Sequence, residues 1–151
     1  MEEIIQLNSG AKLSPHFTLG ELTKSSSHPD IYNVPTHEAI ENLKHVCTWL
    51  EVLRERSGGS VVINSGYRSQ QLNRKIGGAP NSNHLTGCAV DIRVTGFEQV
   101  IRYAAILLDY ADESQQEFDE LLVERNRFGA IWLHFAVRFR GNRHKVLYIN
   151  A

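Results

Sequence analysis

The chain has little cysteine, no long apolar run and almost no excess of charge, and each shortage excludes something. Two cysteines among 151 residues, Cys47 and Cys88, lie too far apart for a Cys-x-x-Cys thiolate site or redox pair. Both sit in apolar surroundings and read as small buried hydrophobes. No stretch reaches the roughly 18 apolar residues of a membrane span. The N-terminal Met-Glu-Glu-Ile-Ile-Gln-Leu carries acids where an export signal needs bases, so no such signal is expected. Sixteen Lys and Arg against 17 Asp and Glu leave a net charge of −1, with no basic stripe. Nucleic acid and anionic membranes are therefore not expected partners.

What is present describes one soluble domain, residues 1–151, expected to be a monomer. The apolar fraction of 42% and charged fraction of 22% are ordinary, and a chain this long can bury roughly 68–70% of its unfolded surface. No repeat or low-complexity tract is visible; Thr23 to Asp30, with its three serines, reads as a loop. Ile40, Leu43, Cys47, Leu50 and Leu53 recur at helical spacing, which predicts a helix over 36–57 with Thr36 as N-cap and Gly58-Gly59 as stop. A strand is expected at 60–64, a short helix at 69–76, a strand at 89–94 and a helix at 97–110 with Val100, Ile101, Ala104, Leu107 and Leu108 inward. Strands at 120–124, 131–138 and 145–149 follow. This order argues for α+β, with a mostly antiparallel sheet and helices packed against it.

Chemistry concentrates in Ser82-Asn83-His84-Leu85-Thr86-Gly87-Cys88-Ala89-Val90-Asp91. Asp91 falls within an apolar strand, where a lone carboxylate is costly unless something pairs with it; a metal would do so. His134 lies mid-strand in Ile131-Trp132-Leu133-His134-Phe135-Ala136-Val137, and alternation puts Trp132, His134 and Ala136 on one face. By itself it reads as a hydrogen-bonded core residue or a ligand; with His84 and Asp91, the ligand reading is favoured. Two histidines and a carboxylate with one open position make the composition of a catalytic zinc site. Non-haem iron uses the same set, usually in a many-stranded barrel for which this chain has too few strands.

Further residues carry a family resemblance: Ser65-Gly66-Tyr67-Arg68-Ser69, Leu72-Asn73, Gly77-Gly78, Ser82-x-His84-x-x-Gly87-x-Ala89-x-Asp91 and Trp132-x-His134. Together they resemble the zinc D-alanyl-D-alanine peptidases, a group of D-Ala-D-Ala carboxypeptidases, dipeptidases and phage L-alanyl-D-glutamate endolysins that shares a fold with lysostaphin-type peptidases and the Hedgehog domain. Leu13-Ser14-x-His16-Phe17-Thr18-x-x-Glu21-Leu22 and Asn33-x-Pro35 resemble the branch often found in phages. The resemblance implies a Hedgehog/DD-peptidase-like fold, one zinc ion on His84, Asp91 and His134, and hydrolysis of peptidoglycan stem peptides. It implies that Arg68 binds or polarises the group being cleaved. Ser65, Ser82 and Trp132 are weaker candidates for substrate contacts, with Asn64 beside them.

A base is needed to move the proton from water to the leaving amine. In many relatives it lies three positions before the last histidine, where this chain has Ile131. The resemblance of Phe118-Asp119-Glu120-Leu121-Leu122-Val123-Glu124 to the phage-like branch makes Glu124 the expected base and Glu120 the second choice. A non-catalytic, zinc-bearing module that binds peptidoglycan or a protein is the alternative, and action on free D-Ala-D-Ala in the cytoplasm a third reading. His16, His28, His37, His45 and His144 are expected to be surface or hydrogen-bonded residues. Specificity is expected from loops 23–33 and 111–118. A missing export signal would suit a phage lysis enzyme or virion component.

Overall fold

A computed structural model describes residues 9–25 and 27–150; the acidic N-terminal heptapeptide lies outside them. A small antiparallel pair, β1 (Lys12–Ser14) and β2 (Phe17–Thr18), leads into the short α1 (Leu19–Thr23). Neither the pair nor this helix is among the expected elements, although α1 opens with a legible signal. Thr18 and Glu21 cap one another's backbone in a capping box.

α2 (His37–Ser57) matches the expectation closely: Thr36 Oγ1 accepts from Ala39 N, and Gly58 closes the helix at φ 75°. Its buried face is broader than the expected stripe and adds Ala39, Val46 and Trp49, while Ile40 is half-buried. Trp49 meets Tyr110 edge-on at 4.9 Å and Phe135 at 5.2 Å, and so joins α2 to the second long helix and the sheet. α4 (Phe97–Ser114) runs four residues past the expected end, because its last turns bury Ala111 and expose their acids. Ile101, expected inward, is exposed, and Tyr103 occupies the core instead.

The main sheet has the order β3-β4-β6-β5-β7, from β3 (Ile63–Ser65), β4 (Ala89–Arg93), β5 (Glu120–Arg125), β6 (Ile131–Ala136) and β7 (Lys145–Asn150). Pairing is antiparallel except between β5 and β7, which run parallel. The α+β expectation holds, and the sheet of the described residues is open. The first strand begins at Ile63 rather than residue 60, although Val62 O still accepts from Arg93 N at 2.9 Å. One sheet face, with Val90, Ile92, Leu121, Leu133 and Phe135, is buried in the core shared with α2. The opposite face carries Asp91, His134, Glu120 and Glu124. Cys47 and Cys88 are free and buried, as expected.

Candidate metal centre and cleft

Register assembles most of the site. Asp91 on β4 pairs directly with His134 on β6. On the other side of β6, Leu122 pairs with His134 and Glu124 with Trp132, so period-two alternation turns Glu120 and Glu124 to the face that bears His134. His84 comes from outside the sheet, in a 3-10 turn over Asn83–Thr86 that follows the short α3 (Gln70–Ile76). Ser82 caps that turn by accepting from His84 N at 3.1 Å, and Arg68 N donates to His84 O at 3.0 Å. Gly87 ends it at φ 78°, where a Cβ would also collide with the Ala39 carbonyl of α2. Gly66 is needed for a like reason: a side chain there would strike the Leu22 carbonyl.

The hydrogen bonds determine which atoms are free to coordinate. His84 Nδ1 lies 2.7 Å from Gly66 O, a group that can only accept, so Nδ1 carries the proton. Nε2 is then a bare lone pair, fully buried, with no hydrogen-bond partner, 3.3 Å from Asp91 Oδ1. A lone pair facing a carboxylate in a buried site calls for a cation between them. His134 Nδ1 is 3.0 Å from the same Asp91 oxygen, and its Nε2 is 3.0 Å from Glu120 Oε1. Burial alone would lower the pKa of His134, but the bonds to Asp91 and Glu120 outweigh it and raise it to about 10. A metal at Nδ1 would take the place of one of those protons and leave Nε2–H for Glu120. One donor atom from each of His84, Asp91 and His134 lies within 4.8 Å of the others, so the three could hold a metal ion.

The two nearby glutamates differ. Glu120 accepts from His134 and from Asn83 Nδ2 at 2.6 Å, and the first of these bonds is the main cause of its lowered pKa. Glu124 Oε1 stands 3.8 Å from His134 Nδ1; burial raises its pKa, against the opposing pull of His134. Arg68 is buried in the turn after β3. It donates to Asn73 Oδ1 at 3.0 Å and lies 3.8 Å from Asp91 Oδ2, and its Nε has no partner.

These residues line one cleft of about 610 Å³, together with Ser82 and Trp132. Ser65 stands opposite Asp91 in the β3–β4 pair, outside the cleft lining, and Asn64 is not in that lining either. The expected specificity loops do not line it: residues 111–118 are the end of α4 and its exit, and residues of the 23–33 loop border separate depressions. The walls come instead from Ile76 to Ser82 and from Arg143 and Lys145. A larger groove of about 890 Å³ between the end of α2 and the start of α4 is far from this chemistry and holds none of the three metal-site residues.

Sequence reasoning missed a supporting layer. Asn83 donates to Asp119 Oδ2 at 2.8 Å and accepts from Arg138 Nε at 2.9 Å. Asp119 is fully buried under a two-bond fork from Arg143, at 3.0 and 2.7 Å. Asn33 ties the Arg68 turn down by donating to Tyr67 O at 2.9 Å and accepting from Ser69 N at 2.6 Å. Its place before Pro35 was visible; these two partners, more than 30 residues away in sequence, were not. Of the remaining histidines, His16 pairs with Glu51 at 2.7 Å, His45 stacks on Phe139 at 4.4 Å, and His144 lies 3.4 Å from Glu117.

A family model described as Peptidase M15 matches residues 15–127, more than half of the chain. The chain belongs to the M15 peptidase family. The matched segment holds Arg68, His84, Asp91, Glu120 and Glu124, and ends before His134. The zinc D-Ala-D-Ala carboxypeptidase of Streptomyces albus G is 31% identical over 91 residues. Those residues are 60% of this chain and 36% of that protein, so the chain spans about a third of the curated relative it matches.

Proposed function

We propose that this chain is a zinc peptidase acting on peptidoglycan stem peptides, with one ion held by His84, Asp91 and His134. The observation that carries the reading is the buried, unpartnered Nε2 of His84 aimed at the Asp91 carboxylate that His134 shares. Two imidazoles and one carboxylate leave a fourth position open, as catalytic zinc requires. The named activity of the Streptomyces relative supports the metal and the substrate class.

Zinc in such a site lowers the pKa of bound water to about 7 and polarises a carbonyl. The chain's residues do the rest. Gly66 O and Glu120 hold the two imidazoles in the tautomers that present Nε2 of His84 and Nδ1 of His134. Glu124 accepts the water proton and passes it to the departing amine; its burial favours the protonated form needed for the second half of that cycle. Arg68, with Nε unpaired, binds the carboxylate or carbonyl next to the cut. Trp132 and Ser82 border the peptide.

The test is to incubate purified peptidoglycan with the zinc-loaded protein, with and without a chelator, and to weigh the released fragments. Chelator-sensitive release supports hydrolysis. Binding of the wall without release identifies a non-catalytic module. Free D-alanine marks a carboxypeptidase, and cut stems an endopeptidase.

A further inference from the structure

The cleft extends beyond the metal centre, and part of its lining, Arg143 and the first residue of a strand, lies beyond the segment matched by the family model. That strand is β7. Its first residue, Lys145, stands in register with Glu120 and lines the cleft. Three cations border this cleft. Arg68 is beside Asp91, and Arg143 is neutralised by its fork on Asp119. Of the three, Lys145 alone forms no ion pair among the described residues, which leaves its ammonium group unpaired at the rim of a cleft whose lining also includes Asp91, Glu120 and Glu124.

Its position is set by neighbours. Lys145 N donates to Asp119 O and His144 N to Phe118 O, each at 3.0 Å. His144 adopts φ 52°, a left-handed conformation uncommon outside glycine, and its ring packs on Phe118 at 4.5 Å. This kink turns the chain from the Arg143–Asp119 fork directly into the parallel strand.

We propose that Lys145 forms a second carboxylate subsite, which recognises a free carboxylate two to three residues from the scissile bond, on the opposite side of the metal centre from Arg68. The strand order requires the opposition: Arg68 follows β3, Lys145 begins β7, and β4 and β6 with Asp91 and His134 lie between them. β7 is two strands from β6, roughly 10 Å across the sheet, and an extended peptide covers that distance in about three residues. A stem peptide cut near its D-alanyl end presents the free carboxylate of its glutamyl residue at this range. The substrate is then an anionic peptide held at two points, one on each side of the cut.

The inference rests on the proposed peptidase reading, so its test is a binding measurement that needs no turnover. Zinc-loaded Glu124→Gln protein is titrated calorimetrically with two synthetic stem pentapeptides that differ only in the glutamyl carboxylate, free in one and amidated in the other. The free acid is expected to bind about tenfold more tightly, the range of one charge-assisted contact. Adding Lys145→Gln should erase that preference while leaving the amide's affinity unchanged. Lys145→Arg should keep it, and raising the salt should shrink it. Equal binding of both peptides, or a preference that survives Lys145→Gln, overturns the proposal. If the parent protein, with Glu124 intact and zinc bound, never cleaves these peptides while the preference is seen, the peptidase reading falls and the subsite stands.

Discussion

Glu120 and Glu124 lie on one strand and one face, both within reach of His134, yet their surroundings push them apart. Glu120 is held ionised by hydrogen bonds from His134 and Asn83, while burial makes ionisation harder for Glu124. When two carboxylates near one centre are driven in opposite directions, their roles separate. The carboxylate already hydrogen-bonded to His134 is placed to orient that ring. The one that faces the same centre with an unfilled bonding capacity is suited to carry a proton. A single period-two strand thus supplies both groups, four positions apart.

The most severe test of this division is Glu124→Gln. It should lower kcat by about 10²-fold or more while zinc content, measured by metal analysis of dialysed protein, stays at that of the parent. Substantial residual turnover would return the base to Glu120. Glu120→Gln should do the reverse, weakening zinc about 10- to 100-fold in a chelator competition, with activity recovered at excess metal. If that variant is inactive with zinc fully bound, the roles assigned here are exchanged. Arg68→Ala should reduce kcat/KM by about tenfold or more through a lost charge-assisted contact, and Arg68→Lys should recover only part, since a point charge cannot reproduce the fork.

The smallest effect is expected from the support below Glu120. Burial by itself would raise the pKa of Asp119, but the Arg143 and Asn83 bonds prevail and lower it from 3.8 to about 2. A carboxylate with a lower pKa folded than unfolded contributes stability above its unfolded value and loses it as pH falls through the folded one. Asp119→Asn should therefore lower Tm by a few degrees near neutral pH, with the gap to the parent closing toward pH 2. A gap that persists unchanged at pH 2 would mean that packing, and not the Arg143 pair, is what Asp119 contributes.

Much of the fold was legible because it follows local rules. The apolar spacing of α2, its Thr36 cap and its Gly58 stop are written within one window of chain, and all three hold. The errors fell where tertiary context overrides such rules. Ile101 is apolar at a helical position but faces solvent, because α4 is rotated to bring Tyr103 to the core. β1 and β2 are only three and two residues long, too short for periodicity to register.

The candidate site divides the same way. The chain by itself pointed to Asp91 and His134 as candidates, because a carboxylate and a histidine inside apolar strands require a partner wherever those strands end up, and the family resemblance added His84. It also determined that His134 shares a face with Trp132 and Ala136 and turns away from Leu133 and Phe135, since alternation is a local property. Only the tertiary structure decided that Glu120 orients His134, that Gly66 O selects the tautomer of His84, and that Arg143 and Lys145 form the cleft's far wall. Those relations depend on how segments distant in the chain come together, which no local pattern encodes.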